Sequence, residues 1–440
     1  MKKVKIFLLT FLIMAVSMMS CTEQLTETVY SELLSSNAYE TESDAEALVI
    51  SVYAGLRGTD WGTYYEYDYL MVSESGTDTY GYDDWETGTQ KMEMGVFDNN
   101  YDFILNLWDG AYKVIGAANF AIKVLDGMPI DDAVKAAYIG EAKFLRGLAY
   151  YDLGFNFGDV ILNIGEGAGN LPLSPQTDVI NQAIQDFTDA AAVLGDATTP
   201  GRASKGAAIG MRAKTHLNAK HWTEAAADAQ AVMGLGDYAL MPSVEELFDV
   251  SNTTSNEWIF TYMSTQTSGS GPTSQLGWFS LSLGYQNGGW GRLTLAENFY
   301  NSFALDDERR NLLGNGYQHG GKRMDGDKFR YYALPGTPEY DSLAPDTATT
   351  VRLIDLKSVT ATKYLGGLDR WTYRDLSWSG CSYPILRYAD ILLTRAEALN
   401  ELNNPGEAIG LVNEVRARSN AALLSGLDQT ALRDAILEER

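Results

Sequence analysis

Residues 136–155 (AAYIGEAKFLRGLAYYDLGF) carry apolar side chains at the spacing of an α-helix. Steps of four, three, four and four separate the members of this stripe: Tyr138, Ala142, Leu145, Ala149 and Leu153. Small alanines alternate with bulky leucines, so a second helix can approach closely and interdigitate with the stripe. Glu141 and Lys143 fall on the other faces. The pattern predicts a helix that packs through one apolar face.

The same periodicity recurs on both sides of a long irregular region. It predicts further helices at 43–56, 107–125, 178–194, 204–218, 223–233, 384–402, 405–419 and 427–440. Ser43 and Thr223 stand where N-caps are expected. Between 242 and 383 the helical period is lost and Gly, Ser, Thr and aromatic residues dominate, apart from a predicted strand at 256–263. We therefore expect a helical scaffold over about 40–235 and 384–440, with a loop-rich functional insertion at about 242–383.

Small residues recur inside two pairs of predicted helices. Ala213 and Ala225 are 12 residues apart, as are Ala396 and Ala408, and each pair spans a helix, a turn and a helix. A two-helix unit of about 34 residues has the tetratricopeptide period. The spacing matches this repeat better than the residue identities do, so an unrelated stack of helical hairpins stays open.

The charge of the chain excludes one class of partner. Lys and Arg number 33 and Asp and Glu number 58, which gives a net charge of −25. Nucleic-acid binding requires clustered basic side chains, and so does retention on anionic lipid through a basic patch. We therefore expect no nucleic-acid partner, and membrane attachment must have another origin.

The N-terminus supplies that attachment. Lys2, Lys3 and Lys5 precede an apolar run at 6–16, which is too short to span a bilayer and is typical of a signal peptide. We expect residues 1–20 to be removed and Cys21 to carry lipid, with a charge of 30 − 58 = −28 on the remaining chain. An ordinary cleaved signal with an incidental cysteine stays open. Cys381 would then have no intrachain disulfide partner.

Five segments of the chain form a recognisable series: AEALVISVYAGL (45–56), LWDGAYKVIGAANFAI (107–122), GEAKFLRGLAYYDL (140–153), SKGAAIGMRAKTHL (204–217) and YPILRYADILLTRAEALNEL (383–402). In this order and at these distances they resemble the SusD/RagB family of outer-membrane nutrient-uptake lipoproteins of Bacteroidetes. NEWIF (256–260) and AIGLVNEVRAR (408–418) fit as well, so the resemblance covers essentially the whole chain. The chain ends at AILEER, where the family pattern continues, and we expect a truncated C-terminus.

The resemblance implies a single domain over 21–440, mainly α, in which tetratricopeptide-like hairpins carry long binding loops. It also implies a non-catalytic lipoprotein, anchored at the cell surface by palmitate and other acyl chains on Cys21. The residues themselves indicate no cofactor and no metal-ligand loop, and whether Ca²⁺ is bound stays open. Such a protein captures oligosaccharides or other nutrients and passes them to a SusC-like, TonB-dependent β-barrel transporter.

Candidate ligand contacts are aromatic residues in two loop regions, together with the carboxylates of Asp83 and Asp84, which would accept hydrogen bonds from sugar hydroxyls. Flat rings pack against the apolar faces of sugars, and a few polar groups fix the orientation of the ligand. The candidates are Tyr80, Tyr82, Asp83 and Trp85 in the first region, and Trp278, Tyr285 and Trp290 in the second. Loop packing is the alternative for any of these rings. Tyr64–Tyr69 is expected to pack internally, and so are Trp108, Trp222 and Trp258.

Other functions stay open. Asp78, Asp83, Asp84 and Glu86 could supply the carboxylate pair of an exported glycoside hydrolase, although sequence gives no separation between them. A peptide-binding lipoprotein, or a scaffold for other envelope proteins, fits the same helices and loops. His216, His221 and His319 lack the spacing of a zinc site.

Overall fold

The computed structural model describes residues 39–57, 64–81, 95, 101–165, 171–196, 199–248, 252, 254–264, 294–295, 297–312, 316–319, 330–333 and 382–440. Helices dominate these ranges, so the fold is mainly α, as the periodicity predicts. The expected signal peptide, Cys21, Cys381 and most of the 242–383 insertion lie outside the described residues and stay predictions. No helix in the described ranges combines the length and the apolar character that a membrane crossing requires.

Twelve α-helices are described. They are α1 (Glu42–Ala54), α2 (Tyr69–Glu74), α3 (Asp102–Gly127), α4 (Asp132–Phe157), α5 (Gln176–Val193), α6 (Lys205–Asn218), α7 (Trp222–Leu235), α8 (Val244–Leu247), α9 (Glu297–Ser302), α10 (Tyr388–Glu401), α11 (Pro405–Arg418) and α12 (Gln429–Glu439). Short 3-10 turns cover Gly55–Arg57 and Glu308–Leu312, and a π-helical turn covers Tyr64–Asp68.

Two predicted helix caps are wrong. Thr41, not Ser43, caps α1, through a reciprocal capping box with Asp44. Helix α7 begins at Trp222 after His221 and has no side-chain cap, so Thr223 lies inside the helix. In contrast, Ser204 caps α6 by accepting a hydrogen bond from the Ala207 amide.

Helix α4 is the centre of the core, not an element buried on one face. Ala142, Leu145, Ala149 and Leu153 of the predicted stripe are fully buried. Burial continues around the helix from Gly140 to Gly154, because α4 packs against α1, α3 and α5 together. Glu141, expected on an outer face, is only 7% exposed.

Three glycines at seven-residue spacing set the distance between α4 and α5. A Cβ on Gly140 would stand 2.5 Å from Val193 Cγ2, and one on Gly154 would stand 2.7 Å from Ile180 Cδ1. A Cβ on the central Gly147 would meet the Asp186 Cβ at 3.1 Å. The early residue of α4 faces the late residue of α5, so the two helices run antiparallel. Glycine permits their close approach.

The two predicted repeat units are hairpins with the same turn. Helices α6 and α7 are joined through Lys220, and helices α10 and α11 through Asn403; both joints have φ 62°. In each turn a backbone amide reaches back five residues, from His221 to the His216 carbonyl and from Asn404 to the Leu399 carbonyl. The predicted small residues share full burial: Ala213, Ala225, Ala396 and Ala408. The repeated hairpin geometry is consistent with a tetratricopeptide-like scaffold.

These hairpins pack against each other across the chain. Helix α10 contacts both α6 and α7. Lys214 Nζ lies 2.8 Å from Asp390 Oδ2 and links α6 to α10. Leu217, Ala225 and Ala398 form a small buried cluster at the same junction. The loop-rich insertion therefore leaves the scaffold and returns to it next to α6 and α7.

Six short strands form three antiparallel pairs within the described ranges. They are β1 (Tyr80–Gly81), β2 (Trp258–Tyr262), β3 (Thr294–Leu295), β4 (Gly316–His319), β5 (Arg330–Ala333) and β6 (Tyr383–Arg387). β1 pairs with β3, β2 with β6, and β4 with β5. The predicted strand at 256–263 is confirmed as β2.

The predicted helix at 384–402 begins four residues later, at Tyr388. Residues 383–387 pair with β2 instead, with Thr261 opposite Pro384 and Trp258 opposite Arg387. The Tyr388 amide donates to the Glu257 carbonyl, 2.8 Å away. Pro384 is thus a strand residue, because a partner strand distant in sequence competes with the first helical turn for this segment.

Candidate functional site

The strand pair β1–β3 joins the two loop regions that carry the predicted ligand contacts. Tyr80 is opposite Leu295, and Gly81 is opposite Thr294, in an antiparallel register. The first loop region therefore leaves β1 at the same end at which the central insertion enters β3. This pairing places the start of one predicted binding region next to the end of the other.

The predicted side chains themselves are not described. Tyr80 is placed by its backbone in β1. The other candidates lie outside the described residues and stay predictions: Tyr82, Asp83, Trp85, Trp278, Tyr285 and Trp290. Of the acidic cluster proposed for a hydrolase, Asp78 is described and is exposed just before β1.

A buried cluster of tyrosines supports the segment that leads to β1. The hydroxyl groups of Tyr64 and Tyr65 both donate to Asp152 Oδ2 on α4, at 2.8 Å for Tyr64. The Tyr69 ring stacks on Tyr65 with centroids 5.1 Å apart. Tyr64 and Tyr65 are buried, which confirms the prediction that they pack internally.

Burial also raises the pKa of two carboxyl groups in this region, those of Asp152 and Asp68. It raises the pKa of Asp152 to about 7, although the hydrogen bonds from Tyr65 and Tyr64 and the charge of Lys214 act to lower it. Burial likewise raises the pKa of Asp68 to about 7, against a hydrogen bond from Asn106. The base of the β1 segment therefore titrates near neutral pH.

A groove of about 910 Å³ lies beside the paired strands. Glu74, Asp78 and Thr79, just before β1, line one part of it, and Phe299 and Phe303, just after β3, line another. Helices α11 and α12 contribute further side chains. The groove thus shares its lining with both segments that the strand pair connects.

Ion pairs within the protein occupy the arginines of this groove. Glu257 is fully buried and accepts hydrogen bonds from Arg418 at 2.8 Å and from Arg387 at 3.0 Å. Glu439 accepts from Arg309 and from Arg416. These ion pairs link the insertion to α11 and α12. The four arginines therefore stabilise the protein through internal ion pairs and are not free donors for a ligand.

Sequence reasoning missed a second cavity, beside Trp258. Trp258 packs partly against a small apolar cluster, as predicted, but it also lines a cavity of about 200 Å³. Its indole nitrogen is buried without a hydrogen-bond partner among the described residues. The motif NEWIF carries no signal for this cavity, because Arg202 and Tyr238 reach it from other elements.

The structure also brings together two histidines. Their Nδ1 atoms, on His216 and His221, lie 3.3 Å apart in the turn between α6 and α7. Burial lowers the pKa of His216 and favours its neutral form. Over the described ranges, no three His, Cys, Asp or Glu side chains form a group that could hold a metal ion.

Two family models match the chain. One is described as SusD family and matches residues 248–440. The other is described as starch-binding associating with outer membrane and matches residues 30–217. Together the two matches cover most of the first helical part of the scaffold, nearly all of the insertion and the whole second helical part.

Relatives match over most of their length. A SusD-like protein of Formosa agariphila is 27% identical over 471 residues, which cover 100% of this chain and 88% of the relative. A SusD-like carbohydrate binding protein from Bacteroides fragilis superposes with a TM-score of 0.73 at 24% identity, covering 91% of this chain and 83% of that one. Surface glycan-binding protein A from Bacteroides uniformis gives a TM-score of 0.71 at 20% identity, covering 91% and 84%. The likeness to these structures shows the shared fold.

Proposed function

Because the chain belongs to the SusD/RagB family, we propose that it is a non-catalytic lipoprotein that binds oligosaccharides where β1 pairs with β3. It is anchored through Cys21 at the outer face of the outer membrane. It delivers its ligand to a SusC-like, TonB-dependent transporter.

The pairing of Tyr80 with Leu295 is the observation that carries this proposal. Tyr82 and Trp85 follow β1 closely in sequence, and Trp290 precedes β3 by four residues. Both segments meet the strand pair at the same end, and we therefore expect rings from the two regions to contact one ligand. Two structural neighbours are named for carbohydrate binding and glycan binding, which supports a sugar as that ligand.

Aromatic stacking allows an oligosaccharide to be captured and later released to the transporter. Rings bury the apolar faces of sugars with little loss of side-chain entropy, and a carboxylate such as Asp83 accepts hydroxyl hydrogens. A few such contacts give modest affinity per ring, and several rings in a row raise it. A ligand held in this way is retained at the surface and is still transferable to a transporter.

Calorimetry of the chain from Thr22 onward against a polysaccharide panel tests the proposal. Trp85→Ala and Trp290→Ala should each weaken binding roughly tenfold or more, the effect of removing an aromatic hot spot. Phe120→Ala is the matched control, because Phe120 is a 40% exposed ring on α3 that lies outside both predicted binding regions and packs edge-on against Tyr39. If all three variants bound the polysaccharide with equal affinity, Trp85 and Trp290 would not be ligand contacts.

Two results would redirect the function. Release of reducing ends from a polysaccharide by purified protein would establish a hydrolase. Heat from a peptide panel, with none from any polysaccharide, would establish a peptide-binding lipoprotein.

The anchor and the transporter need tests of their own. Labelled palmitate should enter the full chain and should not enter a Cys21→Ser variant. A β-barrel transporter should co-purify with the lipidated protein from detergent-extracted outer membranes. If labelling is unchanged in the variant, the lipid is not on Cys21.

A further inference from the structure

A second cavity lies where the connector between α5 and α6 meets the start of β2. Gly201 and Arg202 come from the connector, Tyr238 follows α7, and Trp258 and Thr261 come from β2. Its volume is about 200 Å³. That is well above the roughly 10–15 Å³ that one water requires, and below the roughly 300–1,000 Å³ of clefts that enclose drug-sized ligands. The size suits one six-membered ring.

Irregular pairing in β2 places three neighbouring residues of one strand along this cavity. The register against β6 shifts on both sides of Phe260, and such irregularities re-aim neighbouring side chains. Phe260 packs edge-on against Phe144 in the core, with centroids 4.7 Å apart. Trp258, Ile259 and Thr261 instead all line the cavity.

Two residues that line the cavity each carry a buried polar atom without a hydrogen-bond partner in the described part of the chain. Trp258 Nε1 and Thr261 Oγ1 are buried, and neither finds a hydrogen-bond partner in the part of the chain that the structure describes. Thr261 as a whole is 4% exposed. An unpaired buried polar group is destabilising, so a small rotation that brings either atom to a ligand hydroxyl is favourable.

Fixed neighbours orient the remaining wall. The Tyr238 hydroxyl lies 3.2 Å from Ser204 Oγ, and a Cβ on Gly206 would stand 2.3 Å from that hydroxyl oxygen. The Tyr238 ring is therefore held against the start of α6. Asp237 and Asn256, which also line the cavity, are exposed and supply an acceptor and an amide.

Charge selects against anions. Arg202 Nε lies 2.7 Å from Glu141 Oε2, and its guanidinium also stacks over the Tyr53 ring at 5.3 Å. Its charge is therefore already neutralised inside the protein. Asp237 adds an acidic side chain to the cavity lining, and an anionic ligand would meet like charge there.

We propose that this cavity is a second binding site, which takes a single neutral sugar ring. Trp258 and Tyr238 supply aromatic surface, and Thr261, Asn256 and Asp237 supply polar contacts. The residues that line this cavity do not line the groove beside β1 and β3, so this site does not depend on the oligosaccharide site proposed there. It would hold a monosaccharide or the terminal ring of a longer glycan.

Fluorine NMR of the chain from Thr22, labelled with 5-fluorotryptophan, tests the site directly. The chain has nine tryptophans, and the Trp258 resonance is the one lost in Trp258→Phe. Titration with glucose, galactose, mannose and N-acetylglucosamine should shift this resonance saturably for at least one sugar. Glucuronate should bind at least tenfold more weakly, and Asp237→Asn should reduce that difference.

Thr261→Val is the matched variant, because it removes the unpaired hydroxyl and keeps the shape of the side chain. It should lower sugar affinity about tenfold, as loss of one hydrogen bond does, while circular dichroism stays that of the parent. Trp85→Ala and Trp290→Ala should leave the Trp258 titration unchanged, even if they abolish polysaccharide binding. No saturable shift with any of the four sugars, or equal affinity in Thr261→Val, would overturn the proposal.

Discussion

The backbone of Tyr80 pairs with that of Leu295, although helices α3 to α8 lie between them in sequence. One register step away, Gly81 is opposite Thr294. This contact brings together two loop regions that are far apart in the sequence.

A disulfide across this pair should form without loss of ligand. Residues opposite each other in antiparallel strands have Cα atoms about 4.5–5.5 Å apart, within the range of about 4.4–6.8 Å that a disulfide spans. We expect Gly81→Cys with Thr294→Cys, in a Cys381→Ser background, to crosslink on oxidation and to keep its glycan affinity. Mass spectrometry and calorimetry measure the two effects.

The same double variant after reduction is the internal control. If oxidation abolished binding that the reduced form retains, ligand capture would require β1 and β3 to separate. If no crosslink formed, the register itself would be wrong.

Removing the buried charge pair between α4 and α5 should be costly. Arg146 donates to Asp186 through Nε at 2.8 Å and Nη2 at 2.7 Å, and through Nη1 to Asn119 on α3 at 2.7 Å. Asp186→Asn leaves the buried guanidinium without its counter-charge, which should lower the free energy of unfolding by roughly 3–5 kcal/mol. Urea denaturation measures the loss.

Lys143 and Asp189 give a matched control on the same two helices. Lys143 Nζ lies 2.7 Å from Asp189 Oδ2, but the two side chains are 27% and 35% exposed. Asp189→Asn should therefore cost about 1 kcal/mol or less. Equal losses for both variants would contradict the role assigned to burial.

Filling the central glycine of α4 should push α5 away. A Cβ on Gly147 would lie 3.1 Å from both Asp186 Cβ and Phe187 Cε1, and 3.2 Å from the Ala183 carbonyl oxygen. We expect Gly147→Ala to lower the free energy of unfolding by roughly 1–3 kcal/mol, because crowding outweighs the better helix propensity of alanine.

Gly116→Ala separates these two effects. Gly116 lies in α3 with nothing within 4 Å of the added Cβ. Helix propensity alone should then raise the free energy of unfolding by about 0.5–1 kcal/mol. Thermal or urea denaturation of the two variants should give shifts of opposite sign.

Asp152 should make the protein less stable as pH rises toward neutrality. Burial raises its pKa to about 7 in the folded protein, from an ordinary value of 3.8. Between about pH 4 and 7 the folded carboxyl holds a proton that the unfolded chain has lost. Stability contributed by this group is therefore lost as pH rises, at up to about 1.4 kcal/mol per pH unit.

Asp152→Asn should flatten this decline, because an amide does not titrate. Urea denaturation at pH 5 and pH 8 measures the slope in the parent and the variant. Asp44 provides a contrast of opposite sign, since hydrogen bonds from Thr41 and Glu40 lower its pKa. A variant slope equal to that of the parent would show that Asp152 is ionised throughout the range.

Local periodicity by itself determined the helical scaffold. The stripe at Ala142, Leu145 and Ala149 predicts α4 because burial in a helix repeats every three to four residues. The 12-residue spacing of Ala213 and Ala225 predicts the hairpin of α6 and α7 for the same reason. The resemblance of the motifs to the SusD/RagB family could also be recognised from the sequence alone.

Tertiary structure alone decided which distant groups meet. Glu141 is buried because Tyr53 and Arg202, from either side in sequence, both donate to it. Residues 383–387 become a strand because β2 offers them backbone partners. The Trp258 cavity and the Tyr80–Leu295 edge arise in the same way. Hydrophobic periodicity shows which face of a segment is buried and which face meets solvent. A contact with a residue distant in sequence produces no regular pattern in the local sequence.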